Sequence, residues 1–126
     1  MHDHVARLPS VEACGLLGGV GALVKLVIPV TNIITSPIRF LMDPQEQITA
    51  FKTIEDNGWE IIGIYHSHPN GPETPSVTDV TEAYYPEAAY LIWALHSGKW
   101  GCHAFRIKNG LVAEIDLRVI KNRNGL

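Results

Sequence analysis

Apolar and polar residues alternate along this chain in short runs that predict a sheet with a few helices. Cys14 to Val20 and Leu23 to Val30 are apolar runs rich in branched residues, joined near Gly18, Gly19 and Gly21, and they predict a hairpin. Ile38 to Met42 reads as a short strand. Asp43-Pro44 then opens a helix with proline in its first turn and Ile48, Ala50, Phe51 and Ile54 as its apolar face, ending near Asn57-Gly58. Glu60 to His66 is a strongly apolar strand, Ser76 to Tyr84 a second helix stopped by Pro86, and Ala89 to Leu95 a further buried strand. Cys102 to Lys108 and Leu111 to Ile120 are joined by Asn109-Gly110, a strong two-residue hairpin signal. At the start, Asp3 to Leu8 reads as the tail of a helix ending before Pro9, so short that further residues upstream are expected to belong to it. The predicted class is α/β in the broad sense (α+β): a mixed β-sheet flanked by about three helices, in one domain over residues 1–126.

Composition narrows the function classes. With 46% hydrophobic residues the chain can bury a sizeable core unaided. The net charge of -3, with Lys and Arg scattered, gives no electrostatic footprint for nucleic acid. The longest apolar stretch, Leu16 to Val30, is broken by glycines, Lys25 and Pro29, and the N-terminus lacks a signal pattern, so no membrane partner and a cytoplasmic address are expected. Two cysteines, Cys14 and Cys102, are too few for a disulfide framework; whether they meet stays open. Gly18-Gly19-Val20-Gly21 lacks the third glycine and the following helix of a dinucleotide loop.

The chemistry is concentrated in His66-Ser67-His68-Pro69 and Ser76-Val77-Thr78-Asp79. On a strand His66 and His68 point the same way and Ser67 points elsewhere, where it would hydrogen-bond behind the histidines. Pro69 ends the ladder, Asn70, Gly71 and Pro72 turn the chain, and Ser76 stands where a helix N-cap is expected, with Asp79 in the first turn. Two imidazoles and a carboxylate, with a position left open, suit a catalytic zinc. Each half also has a plain structural reading, since His-x-His can be incidental and Ser-x-x-Asp is a capping pattern. His2 and His4 share the spacing but lie in a predicted helix, where residues two apart diverge, and His96 and His103 carry no such pattern. Trp59, Trp93 and Trp100 read as packing residues.

The spacing from His66 to Asp79 resembles the signature of the JAMM (MPN+) zinc metallopeptidases, and Pro9 to Gly18 is similar to that family's early acidic segment. Pro86 to Leu95 and Ala104 to Ile120 match its later strands, so the likeness covers almost the whole chain. The resemblance implies a cytidine-deaminase-like fold, with His66, His68 and Asp79 as ligands of Zn2+ and a water in the fourth position. It further implies that Glu12 handles that water's proton and that Ser76 stabilises the tetrahedral intermediate. The implied reaction is hydrolysis of a peptide or isopeptide bond after the C-terminus of a ubiquitin-like protein, or processing of a sulfur-carrier protein. The compact Asn70 to Pro75 loop is similar to small stand-alone archaeal and bacterial members, not to those specialised for polyubiquitin. A catalytically silent scaffold is the alternative from another class, and the intact set Glu12, His66, His68, Ser76 and Asp79 argues against it. Asn70 lacks the carboxylate of metallo-β-lactamase-like proteins, and the cysteine pair of nucleobase deaminases is missing. The oligomeric state is left open, a homodimer included.

Overall fold

The computed structural model describes residues 1–120; the last six residues of the domain expected over 1–126 lie outside them. Six strands form one mixed sheet: β1 (Cys14–Val20), β2 (Leu23–Val30), β3 (Glu60–His68), β4 (Ala89–His96), β5 (Lys99–Lys108) and β6 (Leu111–Ile115). Their order is β2-β1-β3-β4-β5-β6, antiparallel throughout except for the central parallel pair β3 and β4. The helices are α1 (His2–Ala6), α2 (Pro44–Asp56) and α3 (Val77–Thr81). No helix among the described residues is long and apolar enough to cross a membrane.

Strand alternation divides the core in two. Cys14, Leu16, Ile64, Ile92 and Phe105 pack with Ala50 and Ile54 of α2 on one face, and Val80 and Ala83 around α3 lie against the same cluster. Leu17, Tyr65, Leu91 and Ala104 pack with Val5 of α1 on the other. The two cysteines belong to different sides of this division, Cys14 to the first cluster and Cys102 to the edge of the second, and both are free thiols. Trp59 packs at the margin of the first cluster, and Trp93 and Trp100 at that of the second.

Local rules set most boundaries. Asp43 caps α2 by accepting from the Glu46 amide at 3.0 Å, with Pro44 in the first turn. Asn109 and Gly110 carry the positive φ values, 52° and 76°, that a tight primed turn requires. Ser97 and Gly98 do the same between β4 and β5, so β5 begins at Lys99, earlier than the expected Cys102.

Four further expectations are corrected. Ile38 to Met42 forms no strand; only Met42 makes an isolated bridge, to Asn32, because the side chain of Asn32 occupies the backbone groups that a ladder would use. Ile48 is exposed, since it stands two residues, more than half a turn, from the buried Ala50. The helix expected over Ser76 to Tyr84 covers only Val77 to Thr81, after which Tyr85, set before Pro86, gives its amide to the Tyr90 hydroxyl at 3.0 Å. β6 stops at Ile115 and not Ile120, because Leu117, Val119 and Ile120 are exposed and no buried face fixes their register.

β3 is seated tightly against β1. Gly15 lies opposite Tyr65, and a Cβ there would fall on the Tyr65 ring, which is itself fully buried with its hydroxyl bonded to His4 Nδ1 at 2.8 Å. Gly15→Ala therefore forces apart the two strands that bracket the histidines. Overpacking of this kind costs about 1–3 kcal/mol. A fall of that size in unfolding free energy by urea titration is expected, and an unchanged midpoint would show that the contact has slack.

Candidate metal centre

β3 runs two residues further than its apolar run, to His68, and this places both imidazoles on the face that carries Ile64 and α2. Asp79 reaches them from α3. Ser76 caps that helix reciprocally: its hydroxyl accepts from the Asp79 amide at 3.0 Å, and its own amide donates to Asp79 Oδ2 at 2.8 Å. The capping pattern and the cluster are thus one arrangement, because the oxygen that receives the Ser76 amide also faces both histidines. His66 Nε2 lies 3.0 Å from His68 Nε2, and each lies 3.1 Å from Asp79 Oδ2.

These three atoms cannot all be satisfied by one another. His68 Nδ1 donates to the carbonyl of Pro72 at 2.7 Å, so a neutral His68 presents only a lone pair at Nε2. That is the tautomer used by a metal-bound histidine, with the far nitrogen fixed by a carbonyl. His66 Nδ1 is buried without a partner among the described residues, and its ring is held by Phe40, stacked at 4.8 Å. Without a cation, the imidazoles can meet Asp79 Oδ2 only by carrying hydrogen at Nε2; with both rings protonated at Nδ1, three electron-rich atoms would converge on one point, an arrangement that a cation would relieve. Their separations approach the edge, about 3.3 Å, of a tetrahedron with ligands about 2.0–2.1 Å from its centre. The donor set and its geometry therefore fit a small divalent cation.

The electrostatics agree with this grouping. Burial acts to raise the Asp79 carboxyl, but hydrogen bonds from His66, His68 and the Ser76 amide outweigh it and hold Asp79 well below the usual carboxylate range. Burial lowers His66. His68 is opposed by burial but raised overall by Asp79, the Pro72 carbonyl and Glu12.

Glu12 precedes β1 and is 3% exposed. One of its carboxylate oxygens lies within 4.8 Å of a ring nitrogen of His66 and one of His68, and its Oε1 is buried with no partner among the described residues. Burial pushes its carboxyl up to about 8, with His68 opposing the rise and Asp79 adding to it. The backbone beside it is held by Ser67, which is fully buried on the far face of β3. Ser67 Oγ accepts from the Ala13 amide at 2.8 Å, and its own amide donates to the Ala13 carbonyl at 3.0 Å. The expectation that Ser67 works from behind the histidines matches this geometry.

Glu12, His66, His68, Ser76 and Asp79 are all brought together, and the other histidines stay apart. His4 bonds to Tyr65, His2 meets the edge of Trp93, and His103 stands between Glu73 and Glu114. Two contributors escaped the sequence reading: Phe40, within a segment expected as a strand, and Asn32, within a connection that read only as polar. Only the turn-forming habit of asparagine pointed toward the second. Beside the cluster opens a cavity of about 170 Å³, lined by Phe40, Met42, Ile64, Tyr90 and by His66 and Asp79 themselves.

Comparison with known proteins agrees with this architecture. The chain is 37% identical over 87 residues to a desampylase from Haloferax volcanii, covering 67% of this chain and 63% of that protein. It is 32% identical over 124 residues to a CysO-cysteine peptidase from Mycobacterium tuberculosis, covering 96% of this chain and 85% of the relative. A Desulfitobacterium hafniense protein solved in solution superposes with a TM-score of 0.85 at 39% identity, covering 97% of this chain and 87% of that one. The chain thus spans less than two thirds of the Haloferax relative. The family model for prokaryotic homologs of the JAB domain matches residues 1–108, and the chain belongs to that prokaryotic JAB (JAMM/MPN) family.

Proposed function

We propose that this protein is a zinc-dependent peptidase that hydrolyses the peptide or isopeptide bond following the C-terminus of a ubiquitin-like or sulfur-carrier protein. The observation that carries this reading is the convergence of His66 Nε2, His68 Nε2 and Asp79 Oδ2 within 3.0–3.1 Å, with the orphaned Glu12 carboxyl buried beside them. The substrate class is supported by the relatives, named as a desampylase and a CysO-cysteine peptidase.

His66, His68 and Asp79 hold the zinc in this reading. Zinc there supplies a Lewis acid and an acidified water. Glu12 takes a proton at Oε1, the buried oxygen that has no protein partner, and returns it to the departing amine. Its raised affinity for a proton, with a carboxyl pushed up to about 8 by burial, favours the first step, in which Glu12 takes the proton and holds it until the amine departs. Ser76 has its hydroxyl oxygen occupied by the Asp79 amide, so the hydroxyl hydrogen remains to donate to the negative charge that develops on the scissile carbonyl. The cavity next to His66 and Asp79 seats substrate alongside the reacting bond.

Two outcomes are expected. Metal analysis of the purified chain gives about one zinc per molecule, which disappears in His66→Ala and in His68→Ala; purification of the parent protein without stoichiometric metal would support a silent scaffold instead. Glu12→Gln keeps its zinc but loses about 10²–10⁴-fold in kcat, the range for a positioned acid–base group. The assay is mass spectrometry on ubiquitin-like fusions, isopeptide conjugates and sulfur carriers with short C-terminal extensions. Full activity of Glu12→Gln would remove Glu12 from the reaction.

A further inference from the structure

The connection between β2 and α2 is organised around one buried side chain. Asn32 is 8% exposed and uses all of its amide: Oδ1 accepts from the Ile34 amide at 3.2 Å and the Leu41 amide at 2.9 Å. Nδ2 donates to the Arg39 carbonyl at 3.1 Å and to the Glu12 carbonyl at 3.0 Å. Three of these bonds shape the loop itself. The fourth leaves the loop and reaches across twenty residues of sequence to the candidate proton carrier.

Loop closure does not require that fourth bond. The ends of the loop are already joined by Ile33 N–H to Leu41 O at 2.9 Å and Asp43 N–H to Thr31 O at 2.9 Å. What the bond does is hold Glu12, and the loop holds it twice, because the Glu12 amide donates to the Ser36 carbonyl at 2.8 Å. Glu12 thus has both backbone polar groups bound to this loop, while the next residue, Ala13, has both of its own bound to Ser67 on β3. The same loop delivers Phe40 onto the ring of His66. One element therefore touches the proton carrier on one side and a histidine of the cluster on the other.

From this geometry we infer that Asn32 is a positioning residue that sets Glu12 in register with His66 and His68. The catalytic consequence rests on the proposed role of Glu12. Asn32 itself touches no reacting atom. Its substitution by Asp keeps the shape and the two accepted bonds, but places a carboxylate oxygen against the carbonyls of Glu12 and Arg39, where a donor stood. The metal-holding side chains lie on β3 and α3 and make no bond to Asn32. Loss of register is then separable from loss of metal.

The test uses the zinc-loaded full chain. In Asn32→Asp, amide hydrogen exchange followed by NMR is expected to quicken at least tenfold at Glu12, with the Ser67 amide changed less than twofold and zinc still at about one per chain. On a cleavable ubiquitin-like fusion, kcat falls at least tenfold while KM stays within twofold. Unchanged protection at Glu12, or an unchanged kcat once Glu12 has been released, overturns the inference. Simultaneous loss of zinc and of Ser67 protection also overturns it, since Asn32 would then be a general fold determinant. Should Asn32→Asp not fold, Asn32→Ser serves with the same criteria, as its shorter side chain cannot span to Glu12. The two ideas fail differently: full activity of Glu12→Gln removes the proton-carrier role, whereas the exchange rates still decide whether Asn32 holds Glu12.

Discussion

Successive residues of a strand face opposite sides of the sheet, and β3 uses this to separate two tasks at its end. His66 and His68 face α2 and meet Asp79, while Ser67 faces the other way and grips Ala13 by two hydrogen bonds. A shift of one residue in the register of β1 against β3 would turn the histidines into the packed face beneath α1 and send Ser67 toward the cluster. The seating of Gly15 on Tyr65 and the bond from Tyr65 to His4 oppose such a shift, so the close approach of those strands protects the site as well as the core.

The cluster is costly for the fold to bury. Two imidazoles and two carboxyl groups stand within a few ångströms in a region largely closed to water, and Glu12 Oε1 and His66 Nδ1 have no partners there among the described residues. Groups of this kind each cost about 1–3 kcal/mol when left unpaired. A bound cation changes that balance by satisfying the converging lone pairs and offsetting the charge of Asp79 and Glu12. The capped turn of α3 and the His68 bond to Pro72 hold the side chains in place.

Much of this was legible in the sequence, because it rests on short-range rules. The β1–β2 hairpin, the capped start of α2, the Asn109-Gly110 turn and the His66 to Asp79 segment each carry their signal within a few residues. What stayed hidden depends on contacts between distant segments. Asn32 looks like any polar turn residue until its amide is seen to serve Ile34, Arg39, Leu41 and Glu12 together, and this same service is why Ile38 to Met42 never joins the sheet. Ile48 misled because an apolar residue near a helical stripe counts toward that stripe until its angle about the axis is measured. The roles proposed for Glu12 and Ser76 rest on family likeness, since neither position is chemically distinctive by spacing alone.

The spans of chain that assemble the centre are unequal. His66 and Asp79 are separated by 13 positions, so the unit proposed to hold the metal is a local strand-loop-helix segment whose closure costs little entropy. Glu12 is brought in by the clamp between Ala13 and Ser67, a contact spanning 54 positions that exists only once β1 has docked on β3. In the proposed reading, holding a cation and using one therefore depend on different parts of the chain: the first on a local segment, the second on the docking of β1 against β3.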